Sequence, residues 1–171
     1  QAVNLKPDFV AAQRELAQLY LAIHFWKEAR SEIVKLIQMD PSDGKAYAWA
    51  AYVEDKSAEV EPIQSKRVPY YEAVADRCLA GIEKAPDLLE LYLRLAMAYE
   101  RLSQPEKVME VLDLAIKNNP KSAEAYIMKA GRFLALGKPD DAGKVLQLGI
   151  EKAGEDAHLY VVMADVAYRK K

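Results

Sequence analysis

The fold can be read from "LELYLRLAMAYERLSQPEKVMEVLDLAIKNNP", residues 89–120. Within this stretch Tyr92, Ala96 and Tyr99 recur at offsets of four and three residues, the spacing that places side chains on one face of an α-helix. The stretch ends at Pro120, which lacks a backbone donor and so cannot continue a helix. It therefore predicts two antiparallel helices that are joined by a short turn.

The same pattern recurs along the chain at a fixed interval. Pro7 and Pro41 lie 34 residues apart, and so do Pro86 and Pro120. Gly154 follows Pro120 after another 34 residues. The register also aligns a set of alanines and a set of tyrosines. Small side chains are needed wherever two helices approach to about 8 Å. The aligned residues are Ala17, Ala51, Ala96, Ala130 and Ala164, together with Tyr47, Tyr92, Tyr126 and Tyr160.

The composition excludes several classes of protein. Of the 171 residues 51% are hydrophobic, which is typical of a folded chain. A net charge of -2 gives no general attraction for nucleic acid or an anionic membrane, and no apolar run approaches the roughly 20 residues of a membrane helix. Cys78 alone cannot form an internal disulfide, so cytoplasm and periplasm are both compatible. Few glycines and the helical period together predict an all-α fold.

These repeats resemble the tetratricopeptide repeat, a helix–turn–helix unit of about 34 residues. The resemblance rests on the aromatic, alanine and proline positions of residues 89–120 and on their counterparts in the neighbouring units. It implies a right-handed superhelical solenoid of antiparallel helix pairs. The predicted order within one array (1–171) is a helical tail over 1–7, repeats over 8–41, 42–86, 87–120 and 121–154, and the first helix of a further repeat over 155–171. Because both ends fall in mid-repeat, we expect an excerpt of a longer array.

One repeat, over 42–86, is longer than the others. Measured against a period of about 34 residues, it carries an insertion of about 11 residues. The insertion falls within "KSAEVEPIQSKRVP", near 56–69, where the first helix of this repeat should turn into its second helix. The simplest interpretation is an elongated, solvated turn, in which residues 56–61 can add one more helical turn, since loops tolerate insertion at low entropic cost. A contact with a partner at the rim of the array is the alternative.

The sequence offers no catalytic constellation. His24 and His158 lie far apart in sequence, and Cys78 occupies a core-facing helical position. No Cys/His cluster has the spacing of a metal site, and no glycine-rich phosphate loop occurs. We therefore expect a protein that is not an enzyme and that needs no cofactor and no metal.

The resemblance also implies where a ligand would bind. In tetratricopeptide arrays the first helices of successive repeats line a concave groove, and the matching positions predict an apolar and aromatic protein-binding groove. The predicted repeat over 121–154 contributes Glu124 to these positions, and the predicted helix over 155–171 contributes His158 and Val161. The residues expected to bind are Arg14, Gln18, Trp49, Tyr52, Leu93, Arg94, Met97, Arg101 and Ile127.

A specialised ligand of the family is not expected. Chaperone-binding members hold a C-terminal carboxylate with a clamp of Lys, Asn and Arg side chains. Here Trp49 and Glu90 stand at two of the matching positions, and Glu90 would repel a carboxylate.

We therefore expect a non-catalytic scaffold that binds a peptide or protein segment within a larger assembly, with no nucleic acid partner and no membrane insertion. Two alternatives remain: a module that self-assembles into homo-oligomers through its end helices and convex face, and a regulatory domain of a larger enzyme.

Overall fold

The computed structural model describes residues 7–169, with side chains from Phe9 onward. These residues form α-helices and one short 3₁₀ turn, Gln64–Lys66, and no β-strand occurs among them. The all-α prediction is confirmed, while nearly all of the predicted tail over 1–7 lies outside the described residues. The helices are α1 (Pro7–Ala22), α2 (Trp26–Met39), α3 (Gly44–Val60), α4 (Val68–Lys84), α5 (Leu89–Arg101), α6 (Pro105–Asn118), α7 (Ala123–Ala135), α8 (Pro139–Ala153) and α9 (Ala157–Arg169).

The chain forms two compact units, the first ending at Ser103 and the second beginning at Gln104. Helices α1 to α5 belong to the first unit, and α6 to α9 belong to the second. Within each unit, helices that are consecutive in the chain pack against one another. The division falls inside the predicted repeat 87–120, and the predicted repeat boundaries remain predictions.

Small residues allow the helices of the first unit to approach closely. Ala17 of α1, Ala29 and Ile33 of α2, and Ala50 and Val53 of α3 form one buried cluster. Because alanine adds only one methyl group, backbone and larger side chains of the neighbouring helix can reach it.

The second unit has a core of the same design. It is built from two buried residues on each of α7, α8 and α9, and larger partly buried side chains surround it. These six residues are Tyr126, Ala130, Ala142, Leu146, Leu159 and Val166.

The turn inside a repeat uses the left-handed backbone region. His24, Ser103 and Gly137 occupy equivalent positions of the register, and their φ angles are 62°, 57° and 69°. The longer repeat departs from this rule, because its equivalent residue, Ala58, is helical and fully buried. Helix α3 therefore continues to Val60, and the additional residues form one more helical turn followed by a mostly exposed connection over 61–67.

A tyrosine hydroxyl closes the connection that precedes three of the first helices. Tyr126 donates a hydrogen bond to the carbonyl of Pro120 at 3.0 Å, and Tyr92 donates to Pro86 at 2.8 Å. Tyr47 makes the same bond to Pro41 with a longer distance of 3.4 Å. The aligned tyrosines and prolines are therefore bonded to each other.

Two glycines of the second helices face these tyrosines. A Cβ atom at Gly149 would lie 2.9 Å from Cβ and Cγ of Tyr126, and one at Gly81 would lie 2.8 Å from Cβ of Tyr47. Real Cβ atoms do not approach other atoms this closely. At both positions the two helices can therefore pack at this distance only because glycine has no side chain.

Candidate binding surface

In the first unit, the side chain of Tyr52 on α3 lies at the centre of a cluster of aromatic rings and cations. The Trp26 ring meets it edge-on at 5.8 Å, and the Arg94 guanidinium lies over it at 4.9 Å from the ring centroid. The Lys56 ammonium lies 5.4 Å from the same centroid. Glu90, one turn before Arg94, accepts hydrogen bonds from its guanidinium at 2.7 and 2.9 Å. The structure thus holds Tyr52 and Arg94 in one orientation.

Met97 extends this surface along α5. It is 47% exposed, and it shares with Arg94, Asp55, Val74 and Ala98 a shallow recess of about 20 Å³. The structure therefore brings together three of the predicted binding residues, Tyr52, Arg94 and Met97. The recess is too small to enclose a side chain, so this part of the unit presents a surface rather than a pocket.

Other predicted residues of the first unit have structural contacts. The Arg14 guanidinium lies 3.1 Å from the carboxylate of Asp43, which caps α3 by accepting bonds from the amides of Lys45 and Ala46. Trp49 packs against the buried cluster around Ala17 and Ile33.

The remaining three predicted residues of this unit are less constrained. Gln18 is exposed on α1, and Leu93 is half-buried on α5. The exposed Arg101 holds its guanidinium 5.9 Å from the Tyr71 ring centroid.

The second unit contains an open cleft between α7 and α9, hereafter the α7–α9 cleft. Its volume is about 450 Å³. Ile127 is the member of the predicted binding set that lies here, and Val161 opposite is 68% exposed. The lining combines apolar side chains with carboxylates and one imidazole. It consists of Ala123, Ile127, Val161, Val162, Glu124, Asp156 and His158.

Two carboxylates give the α7–α9 cleft its charge. Oδ1 of Asp156 accepts the backbone amide of His158 at 2.8 Å, which lowers the pKa of this carboxyl below its ordinary value, and the His158 imidazole lies 3.2 Å away. Glu124 is exposed in the first turn of α7, and none of the described residues forms an ion pair with it. The residues lining the cleft include no Lys and no Arg.

A larger cleft at one end of the first unit was missed by sequence reasoning. It has a volume of about 570 Å³ and includes the exposed Phe25 beside the α1–α2 turn and Val60 in the added turn of α3. Nearby, Arg30 donates to the buried carboxylate of Glu54 at 2.6 Å and to Ser57 at 2.9 Å. The adjacent aromatic residues Phe25 and Trp26 were the signal available in the sequence.

The described residues show no arrangement for catalysis by cysteine or metal. Burial raises the pKa of the Cys78 thiol to about 12, which disfavours the nucleophilic thiolate. No three His, Cys, Asp or Glu side chains are grouped to hold a metal ion in this part of the chain. Among the helices of residues 7–169, none combines the length and hydropathy needed to cross a bilayer.

Comparison with known proteins finds one matching family model and several structures with the same fold. Residues 89–132 match the family model of the tetratricopeptide repeat. No curated protein sequence matches the chain. Three solved structures with the same fold share 19% sequence identity or less with it.

A thermophilic tetratricopeptide-repeat protein from Thermus thermophilus is 19% identical over 95% of this chain and 84% of its own, with a TM-score of 0.75. YrrB, a tetratricopeptide-repeat protein with an unusual peptide-binding site, is 19% identical over 90% of this chain and 74% of its own, with a TM-score of 0.59. The first such domain of Spaghetti, solved with an HSP90 peptide, is 15% identical over 78% of this chain and 99% of its own, with a TM-score of 0.61. Residues 89–132 therefore match a tetratricopeptide repeat, and the chain has the fold of solved tetratricopeptide-repeat structures.

Proposed function

We propose that the chain binds a segment of a partner protein on open surfaces of its odd-numbered helices and performs no catalysis. The observation that carries this proposal is the α7–α9 cleft. Its volume of about 450 Å³ can receive one or more side chains, and its wall includes Val161, which is 68% exposed and so lies largely outside the core. Apolar clefts with a few polar groups at the edge are the usual form of a binding site.

The surface of the first unit supports the same function. Tyr52 and Arg94 are held together before any ligand arrives, and Met97 beside them is 47% exposed. Aromatic, methionine and arginine side chains are enriched at protein interfaces, and a side chain that is already ordered loses less conformational entropy on binding. We expect the α7–α9 cleft to anchor a partner and this surface to offer contacts of its own.

The peptide-binding relatives support a segment as the ligand, although they do not identify it. YrrB has a peptide-binding site, and the Spaghetti domain was solved with an HSP90 peptide. In this chain Arg14 pairs with Asp43, and Arg94 bonds to Glu90. These arginines are therefore already neutralised, which opposes binding of a chaperone carboxylate.

A second candidate function is self-assembly. Tyr168 on α9 is 77% exposed and Phe9 on α1 is 65% exposed, so apolar side chains are available to pack against another copy. Size-exclusion chromatography over a range of concentrations tests this alternative directly. An elution volume that shifts with concentration, and that Tyr168→Ser restores to the monomer position, favours self-assembly over the binding of a partner segment.

The proposed function is tested by capture of partners with the intact protein. We expect Val161→Asn to remove the specific partners, because a polar side chain in the cleft disfavours burial of an apolar anchor. Leu148→Asn is the matched control, since Leu148 is also exposed, at 42%, but lies on α8. Circular dichroism checks that both variants remain helical. Loss of the partners with Leu148→Asn but not with Val161→Asn would refute a site in the α7–α9 cleft.

A further inference from the structure

We infer that the segment bound in the α7–α9 cleft is basic, with an apolar anchor flanked by Lys or Arg. This inference rests on the proposed function and adds the chemistry of the partner. Four apolar residues line the cleft, together with the carboxylates of Glu124 and Asp156 and the imidazole of His158. An anchor in this cleft brings its flanking residues close to these two groups.

The two carboxylates are positioned for a ligand in different ways. Asp156 accepts the amide of His158 at 2.8 Å at the start of α9, which favours its ionised form and fixes its position at the mouth of the cleft. Glu124 is exposed to water in the first turn of α7, where the helix dipole also favours a negative charge. No ion pair with a described cation neutralises Glu124, so its charge is available to a ligand.

The apolar part of the cleft makes this charge selective. When an anchor side chain occupies the cleft, water is excluded by the apolar residues Ala123, Ile127, Val161 and Val162. Charges beside such a water-free region interact more strongly than charges in bulk solvent. An acidic segment would meet both carboxylates without a compensating Lys or Arg in the lining. The same anchor with basic neighbours would bind through complementary charge, as protein interfaces commonly do.

Three fluorescein-labelled peptides test the inference with the full chain. Each carries a central Leu-Val pair between flexible Gly-Ser ends, and the flanking residues are all Lys, all Gln or all Glu. Fluorescence anisotropy should rank the affinities as Lys, then Gln, then Glu, with at least about a tenfold difference between the first and the last, since each contact with an exposed charge changes affinity about 2- to 5-fold. Added salt should reduce this difference.

The double variant Glu124→Gln/Asp156→Asn should remove most of the preference for the Lys peptide and leave the Gln peptide nearly unchanged. Asparagine caps a helix as well as aspartate does, so this variant should retain the start of α9. Glu110→Gln/Glu151→Gln is the matched control, because both glutamates are exposed on the even-numbered helices α6 and α8. We expect the control to bind all three peptides as the parent does.

Three results would overturn the inference: equal affinities for the three peptides, a preference for Lys that the double variant retains, or no binding of any peptide up to about 1 mM. The proposed function has a separate outcome. If captured partners depend on Val161 but bind the double variant as tightly as the parent, the cleft binds a segment and the basic character is wrong. If Val161→Asn changes no captured partner, the proposed function itself fails.

Discussion

The change from Gly149 to alanine offers a direct test of the packing in the second unit. A Cβ atom at this position would lie 2.9 Å from Cβ and Cγ of Tyr126 and 3.1 Å from Cδ2 of Leu159, and both of these side chains are buried. The Tyr126 atoms are close to its backbone and cannot move aside without shifting α7. Overpacking of a filled core costs about 1–3 kcal/mol. In a helix interior, alanine offsets about 1 kcal/mol of this by its better propensity.

Gly131 supplies the matched control, because it lies inside α7 of the same unit and an added Cβ would meet nothing within 4 Å. We expect Gly131→Ala to raise the free energy of unfolding by about 0.5–1 kcal/mol and Gly149→Ala to lower it. Since both changes carry the same gain in propensity, the difference between them, about 1–3 kcal/mol, measures the steric term. Urea unfolding followed by circular dichroism provides both values. If Gly149→Ala stabilises the protein as much as Gly131→Ala, the close contact between α7 and α8 is absent.

Three further predictions follow from contacts described above. The thiol of Cys78 should not react with a disulfide reagent at pH 8, because burial raises its pKa to about 12. Labelling should begin only at urea concentrations that unfold the chain, and rapid labelling of the native protein would contradict the burial of this thiol. Tyr126→Phe should lower the free energy of unfolding by about 0.5–1.5 kcal/mol through loss of its hydroxyl bond, whereas Tyr160→Phe, on an exposed side chain, should have little effect; equal losses would show that the bond contributes nothing. Arg30→Met should lower the free energy of unfolding by about 1–3 kcal/mol, because it leaves the buried carboxylate of Glu54 unpaired. In a double-mutant cycle, adding Glu54→Gln should recover part of this loss, and purely additive effects would argue against the pair.

The helical order was predictable from sequence because the repeated residues contact one another. Tyr126 bonds to the carbonyl of Pro120, and Ala130 is fully buried in the core of its unit. Such contacts require the same residue types at the same interval in every repeat, so the period is visible without a structure. The repeat pattern predicts helices over 8–24, 27–40, 43–56, 70–84, 88–102, 105–118, 121–136, 139–153 and 155–170. Over the described residues the observed bounds agree with these to within four residues, and the largest difference is at Val60, where α3 is extended.

The exposure of the binding residues was less predictable, because it depends on what neighbouring helices cover. Arg14 and Trp49 occupy positions that line the groove in the family. In this chain Arg14 forms an ion pair with Asp43, and the buried cluster of the first unit covers part of Trp49. By contrast, Val161 has no large covering side chain among the described residues and is 68% exposed. Side-chain partners on other helices decide these outcomes, and periodicity alone does not contain them.

The bond from tyrosine to proline sets a limit on where this chain can gain or lose residues. In all three places the hydroxyl reaches back six residues to its carbonyl, so the connection between Pro120 and Tyr126, for example, has a fixed length. The connection over 61–67, inside a repeat, has a bond of the same span, from Nε of Arg67 to the carbonyl of Glu61 at 2.7 Å, but its donor is a long, flexible side chain and the connection already carries additional residues. Epitope tags, fluorophores or natural insertions should therefore be tolerated better at 61–67, where the arginine side chain can adjust, than between Pro120 and Tyr126, where the rigid tyrosine ring cannot follow a displaced carbonyl.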